Sequence, residues 1–164
     1  MQVYLALYGA VSEETKFLIA KKNMFAHFFD KKKMRNPEPI KNGPGSWVFP
    51  GGRAGKQEDY LQGAYREFYE ETGILEKDIL HSNPPTCIGT NYKVFFVNCY
   101  NLQEIVEKIS SNLHNSSYIT DDELDSVKLA TADESIKLFK ESGELSSWFL
   151  CAITNFCQTS RAML

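Results

Sequence analysis

The sequence has no long apolar run, no basic leader and no paired cysteines, and each absence narrows the field. Its longest apolar stretches, Val3–Val11 and Trp148–Ile153, fall far short of the roughly 20 residues a membrane-spanning helix needs. No membrane association is expected. Met1 is followed directly by a strand-like run, without basic residues or a small-residue cleavage motif, so a cytoplasmic protein is expected rather than a secreted one. The cysteines, Cys87, Cys99, Cys151 and Cys157, show no CxxC spacing, and His27, His81 and His114 form no paired ligand pattern. Zinc is therefore not expected, and the thiols read as buried and reduced. A net charge of −3 provides no general attraction to nucleic acid or an anionic membrane. Any affinity for phosphate must be local.

What is present is an ordinary globular balance, 43% hydrophobic and 24% charged, over a length that suits one domain spanning residues 1–164. Val3–Val11 and Lys16–Ala20, separated by a polar stretch, predict an antiparallel hairpin. Asn23–Gly45 loses periodicity and collects Pro37, Pro39, Gly43, Pro44 and Gly45. It reads as a long surface loop inserted at about residues 23–45, with a short turn of helix near Phe25–Phe29. Trp47–Phe49 reads as a short strand ended by Pro50, with Gly51-Gly52 allowing a sharp turn. A helix is expected over about Asp59–Glu71, with Leu61, Ala64 and Phe68 on one face and Gly73 as a left-handed cap. Strands are expected at Thr86–Thr90, Tyr92–Tyr100 and Leu124–Leu129. Further helices are expected at Leu102–Leu113, Thr131–Glu141, where Thr131 and Glu134 suit a capping box, and about Glu144–Gln158. Strands and helices interleave without a repeat, which indicates an α/β layered domain.

The chemistry concentrates on one helix. Glu67, Glu70 and Glu71 stand at i, i+3 and i+4, so three carboxylates share one surface and repel unless a cation sits among them. A hard divalent cation with oxygen ligands is the simplest solution. The apolar face lies roughly opposite, so packing it on the sheet would aim the carboxylates outward toward a cleft. Arg66 can pair with Glu58 across the preceding loop, and Gly51-Gly52 lets the backbone approach a metal or phosphate.

The segment Gly52–Ile74 resembles the Nudix box, G-x5-E-x7-R-E-U-x-E-E-x-G-U, with every fixed position met and Phe68 an aromatic choice at the first apolar position. Trp47–Gly51 also resembles the family's usual entry. The resemblance implies an α/β/α sandwich with a mixed central sheet, and hydrolysis of a nucleoside diphosphate linked to another group. Carried over by position, Glu67, Glu70 and Glu71 would hold Mg²⁺, with Mn²⁺ as a substitute and the Gly51 carbonyl as a backbone ligand. Glu58 and Arg66 would orient loop and helix. Glu123, in the acidic stretch before the strand ending at Leu129, is a candidate general base, against a plain reading in which that stretch caps a solvated turn.

Substrate choice lies outside the box. Tyr92 stands where the family's dinucleoside polyphosphate hydrolases are associated with a tyrosine, which would make it a base-stacking residue; ordinary sheet packing is the alternative. Lys31, Lys32 and Lys33 belong to a stretch, Lys21–Lys41, with seven basic and two acidic side chains, a formal +5 in a chain of −3. It could attract substrate phosphates or simply keep the protein soluble. Two other functions stay open: a nucleotide-binding sensor without turnover, and an RNA-processing enzyme. The expected partner is a small nucleotide-like phosphoanhydride, on a monomer or homodimer.

Overall fold

The structure, a computed structural model, describes residues 1–162. It opens with strands β1 (Gln2–Val11) and β2 (Glu14–Lys22), joined by Ser12-Glu13 with φ of 52° and 68°. Two central residues with positive φ make the kind of tight turn whose twist matches that of the strands it joins. The next hairpin repeats the device. β3 (Phe25–Phe29) and β4 (Lys32–Pro39) pair antiparallel around Asp30-Lys31, with φ of 51° and 59°.

This second hairpin replaces the helical turn and most of the irregular loop expected over residues 23–45; over residues 40–45 the chain is irregular as expected. Proline at Pro37 and Pro39 is tolerated because β4 has only one neighbour and is exposed along most of its length. Asp30-Lys31 is not among the sequences that usually announce such a turn, so the signal was faint.

The remaining elements are β5 (Trp47–Val48), β6 (Gly51–Arg53), α1 (Tyr60–Thr72), β7 (Thr86–Ile88), β8 (Tyr92–Asn98), α2 (Leu102–Asn112), β9 (Leu124–Ala130), α3 (Ala132–Glu141) and α4 (Ser146–Ala162). A single-turn helix at Glu76–Asp78 follows α1. Apart from β6, which was expected only as a turn, and the single-turn helix, which was not expected, each was anticipated within a few residues. The capping box of α3 is complete, with Thr131 Oγ1 accepting from Glu134 N–H at 3.2 Å and Glu134 Oε2 accepting from Thr131 N–H at 2.9 Å.

The main sheet runs β5-β2-β1-β8-β7, with β6 beside β1 and β9 beside β2. Among the described residues only β1 and β8 pair in parallel, from Gln2↔Tyr92 to Tyr8↔Asn98, so the sheet is mixed. After their turn β1 and β2 pair only from Val11↔Glu14 to Tyr8↔Phe17 and then diverge. The gap is filled by residues 47–53: Val48 pairs with Ala20 of β2, Gly51 pairs with Tyr4 of β1, and Pro50 O accepts from Leu5 N–H at 2.9 Å. A split between central strands, bridged by a Pro-Gly-Gly segment, is where the chain leaves room for a cleft.

Successive β1 side chains point to opposite faces. Tyr4 and Tyr8 meet α4 through Phe149 and Phe156, with ring centroids at 4.7 and 4.9 Å. α1 and α2 belong to the other layer, where Asn112 Nδ2 donates to Thr72 O at 3.0 Å. The result is the expected α/β/α arrangement. Phe17, Phe49, Phe96, Phe139, Phe149 and Phe156 form an aromatic core between the sheet and the α3–α4 layer. Among the described residues, no helix is long and apolar enough to cross a membrane.

Candidate active site

α1 is fixed at both ends. Asp59 Oδ1 accepts from Gln62 N–H at 3.1 Å, and Gly73 closes the helix at φ 75°, donating to Tyr69 O at 2.8 Å. Gly63, Ala64, Tyr65 and Phe68 face the core. Arg66 then organises the acidic flank. Its Nε and Nη2 donate to Glu58 Oε2 and Oε1 at 2.8 and 3.0 Å, Nη2 also reaches Arg53 O at 3.0 Å, and Nη1 reaches Glu67 Oε1 at 3.0 Å and both Glu70 oxygens at 3.2 Å. The bidentate guanidinium beside Glu58, with Gly55 N–H, lowers that carboxyl from 4.5 to about 2.

Glu71 differs from expectation. It is 3% exposed rather than on an open helix face, because its flank turns toward β6, where Gly51 N–H donates to Glu71 Oε2 at 3.1 Å. Burial raises its pKa well above the ordinary carboxylate value, and Glu123 beside it raises it further, while Lys22 opposes. Burial also pushes Glu67 up to about 7, against the pull of Arg66 and with Glu70 adding to the rise. Gly52 makes this closeness possible: a Cβ there would lie 2.5 Å from Glu67 Oε2.

These carboxylates open onto a cleft of about 800 Å³ that Glu123 and Lys22 enter from the β2–β9 side, with Lys22 Nζ 3.9 Å from Glu123 Oε2. Oxygen donors that are crowded, partly buried and driven toward protonation fit a hard divalent cation in kind. Glu67 and Glu70 are here turned onto Arg66, and among the described residues no three acidic, histidine or cysteine side chains stand in a closed ligand geometry. Tyr4 connects this acidic region to an aromatic one. Burial, then Glu71 and Glu67, pushes its hydroxyl pKa up, and its ring lies 6.5 Å from that of Trp148, another wall of the cleft.

A family model for the NUDIX domain matches residues 11–149. The chain belongs to the NUDIX domain family. Its fold agrees with solved Nudix structures of low identity. A Caenorhabditis elegans Ap4A hydrolase in a binary complex is 14% identical, with 99% of each chain covered and a TM-score of 0.59. A mutT/nudix family protein from Listeria innocua is 16% identical over 99% of this chain and 93% of that one, at 0.56. A Mycobacterium smegmatis Nudix hydrolase is 11% identical over 98% and 86%, at 0.55. No curated protein matches in sequence. As a Nudix pyrophosphohydrolase, the protein acts on a phosphoanhydride bond.

Within this Nudix fold, Glu67, Glu70, Glu71, Gly51 and Glu123 come together at the cleft. Arg66 and Glu58 lie behind it, joined as described. Tyr92 does not line the cleft. Its ring stacks on Trp148 at 5.1 Å and 5°, so it backs the aromatic that does. Lys31, Lys32 and Lys33 are exposed on the β3–β4 hairpin and also stand outside the cleft wall, where the cations are Lys22, Lys41 and Arg53. Sequence reading missed Tyr4, Lys22 and Trp148 as site residues. Tyr4 and Trp148 sit in apolar strand and helix patterns that core packing explains equally well, and Lys22 was visible only as one member of the basic stretch Lys21–Lys41; the divergence of β1 from β2 leaves room for the cleft that all three line.

Proposed function

We propose that this Nudix enzyme is a Mg²⁺-dependent hydrolase of a nucleoside diphosphate linked to a second group, with Mn²⁺ able to substitute. Dinucleoside polyphosphates and nucleotide sugars rank ahead of canonical triphosphates. The observation that carries the reading is one cleft holding Glu67, Glu70, Glu71 and Glu123 together with cationic side chains and an aromatic wall. Bound to the carboxylates of α1, the cation would neutralise charge on phosphate oxygens and make an attacking water more acidic.

The protein's own groups divide the remaining tasks. Lys22, Lys41 and Arg53 receive phosphate oxygens. Arg66 and Glu58 hold α1 against the loop before it. Glu123 takes the proton of water as the new P–O bond forms and the bridging P–O bond breaks, and the leaving group departs as a phosphate-ester anion, either the nucleotide or the phosphorylated second group. Glu67 and Glu70 are engaged by Arg66, whereas Glu123 is bound by no guanidinium: it faces the cleft beside Glu71, with Lys22 at 3.9 Å, and this supports it as the base. Trp148, braced by Tyr92, offers a flat apolar face to a nucleobase. That a protein of the same fold is an Ap4A hydrolase agrees with this ranking.

Formation of nucleotide products from a panel of dinucleoside polyphosphates, nucleotide sugars and triphosphates tests the proposal, with Mg²⁺ and with chelator. Turnover should vanish in chelator, and Glu71→Gln should lower kcat at least ~100-fold, equivalent to ~2.7 kcal/mol at 1.36 kcal/mol per tenfold. Wild-type rates in that variant, or turnover of nothing in the panel, would overturn it; the latter would favour a sensor.

A further inference from the structure

The segment Thr120–Glu123 is clamped between two elements. On one side Thr120 and Asp121 N–H both donate to the carbonyl of Glu70, at 2.8 and 3.1 Å, tying the segment to the helix that carries the acidic cluster. On the other side stands the β3–β4 hairpin. Lys31 N–H donates to Thr120 O at 2.7 Å, Asp30 N–H to Asp121 Oδ1 at 2.9 Å, and Asp122 N–H to Phe28 O at 3.1 Å. Asn23, just before the hairpin, donates its N–H to Glu123 O at 2.9 Å.

Asp122 is the centre of this clamp and is fully buried, at 0% exposure. Its Oδ2 accepts from His27 N–H at 2.9 Å, and its Oδ1 faces Asn23 Nδ2 at 3.3 Å and His114 Nδ1 at 3.1 Å. The other nitrogen of His114 faces Asp125 O at 2.9 Å. Burying an ionised carboxylate is costly unless its lone pairs are filled. Here they are filled from two separate stretches of chain, Asn23–His27 and His114, both converging on the residue next to Glu123. An apolar side chain would occupy the same space without that cost, so what the carboxylate adds is direction.

We propose that the β3–β4 hairpin is a strut for the cleft, and that Asp122 is the positioning residue through which it sets Glu123 against Glu71. This rests on the reading of Glu123 as the proton acceptor. The hairpin is not merely an insertion at the surface: its inner strand supplies backbone donors and acceptors to the segment that carries the base.

Three variants and two measurements test it: Asp122→Asn, Asn23→Ala and Glu123→Gln, compared by steady-state kinetics with Mg²⁺ and by amide hydrogen exchange. Asp122→Asn should lower kcat at least ~10-fold per folded molecule with KM changed less than ~3-fold. Exchange should quicken at Thr120, Asp121 and Asp122. Glu123→Gln should lower kcat with exchange unchanged, and the double variant should be no slower than Glu123→Gln alone, since both act on one group. Asn23→Ala keeps the Asp122 carboxylate and removes the amide that donates to Asp122 O, Asp122 Oδ1 and Leu124 O, and it provides the same comparison if Asp122→Asn folds in low yield. Wild-type kcat per folded molecule in both Asp122→Asn and Asn23→Ala, beside an impaired Glu123→Gln, would overturn the positioning role while leaving the base assignment standing. Wild-type kcat in Glu123→Gln would overturn the base assignment itself, and the proposal with it.

Discussion

Arg66 shows how much one side chain can settle. A guanidinium presents its donors in a fixed planar fork, and here the fork is shared among Glu58, Glu67, Glu70 and the carbonyl of Arg53. The Glu58 pairing was readable from residue types and spacing alone, because a carboxylate before a helix and an arginine two turns into it can meet only across that loop. Its contribution is pH-dependent. With the Glu58 carboxyl lowered from 4.5 to about 2, the stabilisation is complete above about 4.5 and is lost as pH falls through 2. Glu58→Gln should therefore melt below the wild type at pH 7, and the gap should close between pH 4.5 and 2. With the two side chains 25% and 37% exposed, solvent screening holds the gap to about 1 kcal/mol. Equal melting temperatures at pH 7 would show that the pair does not contribute to stability.

Among the elements, legibility followed periodicity. α1, α2 and α3 could be placed because apolar residues recur at helical spacing between recognisable caps, and β1, β2 and β8 because they are dense in apolar and aromatic residues. The β3–β4 hairpin escaped because β4, KKMRNPEP, has no buried face to impose alternation on its sequence. The burial of Glu71 escaped for a related reason: spacing shows which helix residues are neighbours, not which strand a flank will meet. The hairpin also carries Lys31, Lys32 and Lys33 away from the cleft wall, which leaves them a long-range electrostatic role only. Replacing all three by Ala should lower kcat/KM at low ionic strength, and the loss should shrink near 0.15 M salt, where screening acts over ~8 Å. Since none lines the cleft, kcat should change little. An unchanged kcat/KM at low salt would confine phosphate recognition to Lys22, Lys41 and Arg53.

At the scale of the molecule, the site belongs to no single stretch of chain. Tyr4 and Lys22 come from the first hairpin, the acidic cluster from α1, Glu123 from the start of β9 and Trp148 from α4. The box announced the family and the carboxylate-bearing flank of α1 from 23 consecutive residues. The other walls of the cleft are assembled by sheet topology, and Tyr4 and Trp148 come from positions whose local sequence looks like core. Phe49 illustrates the join. It lies between β5 and β6, wholly buried, and its ring meets Phe96, Phe139 and Phe149 at 5.2–5.7 Å, so the bridge across the split sheet is pinned by the same aromatic core that packs α3 and α4.

The parallel pairing of β1 with β8 has a consequence for biosynthesis. β1 leaves the ribosome well before β8, and its register partner for Gln2 is Tyr92, so the nascent chain must present the backbone edge of Val3–Leu7 uncovered until some ninety further residues are made. An apolar strand with an open edge is the form of intermediate that associates with its own kind. A fragment ending at Pro85 should accordingly sediment as aggregate under conditions that keep the full chain monodisperse, and a compact, monodisperse fragment would refute this. On this account the vulnerable interval in the life of the protein lies before its active site exists.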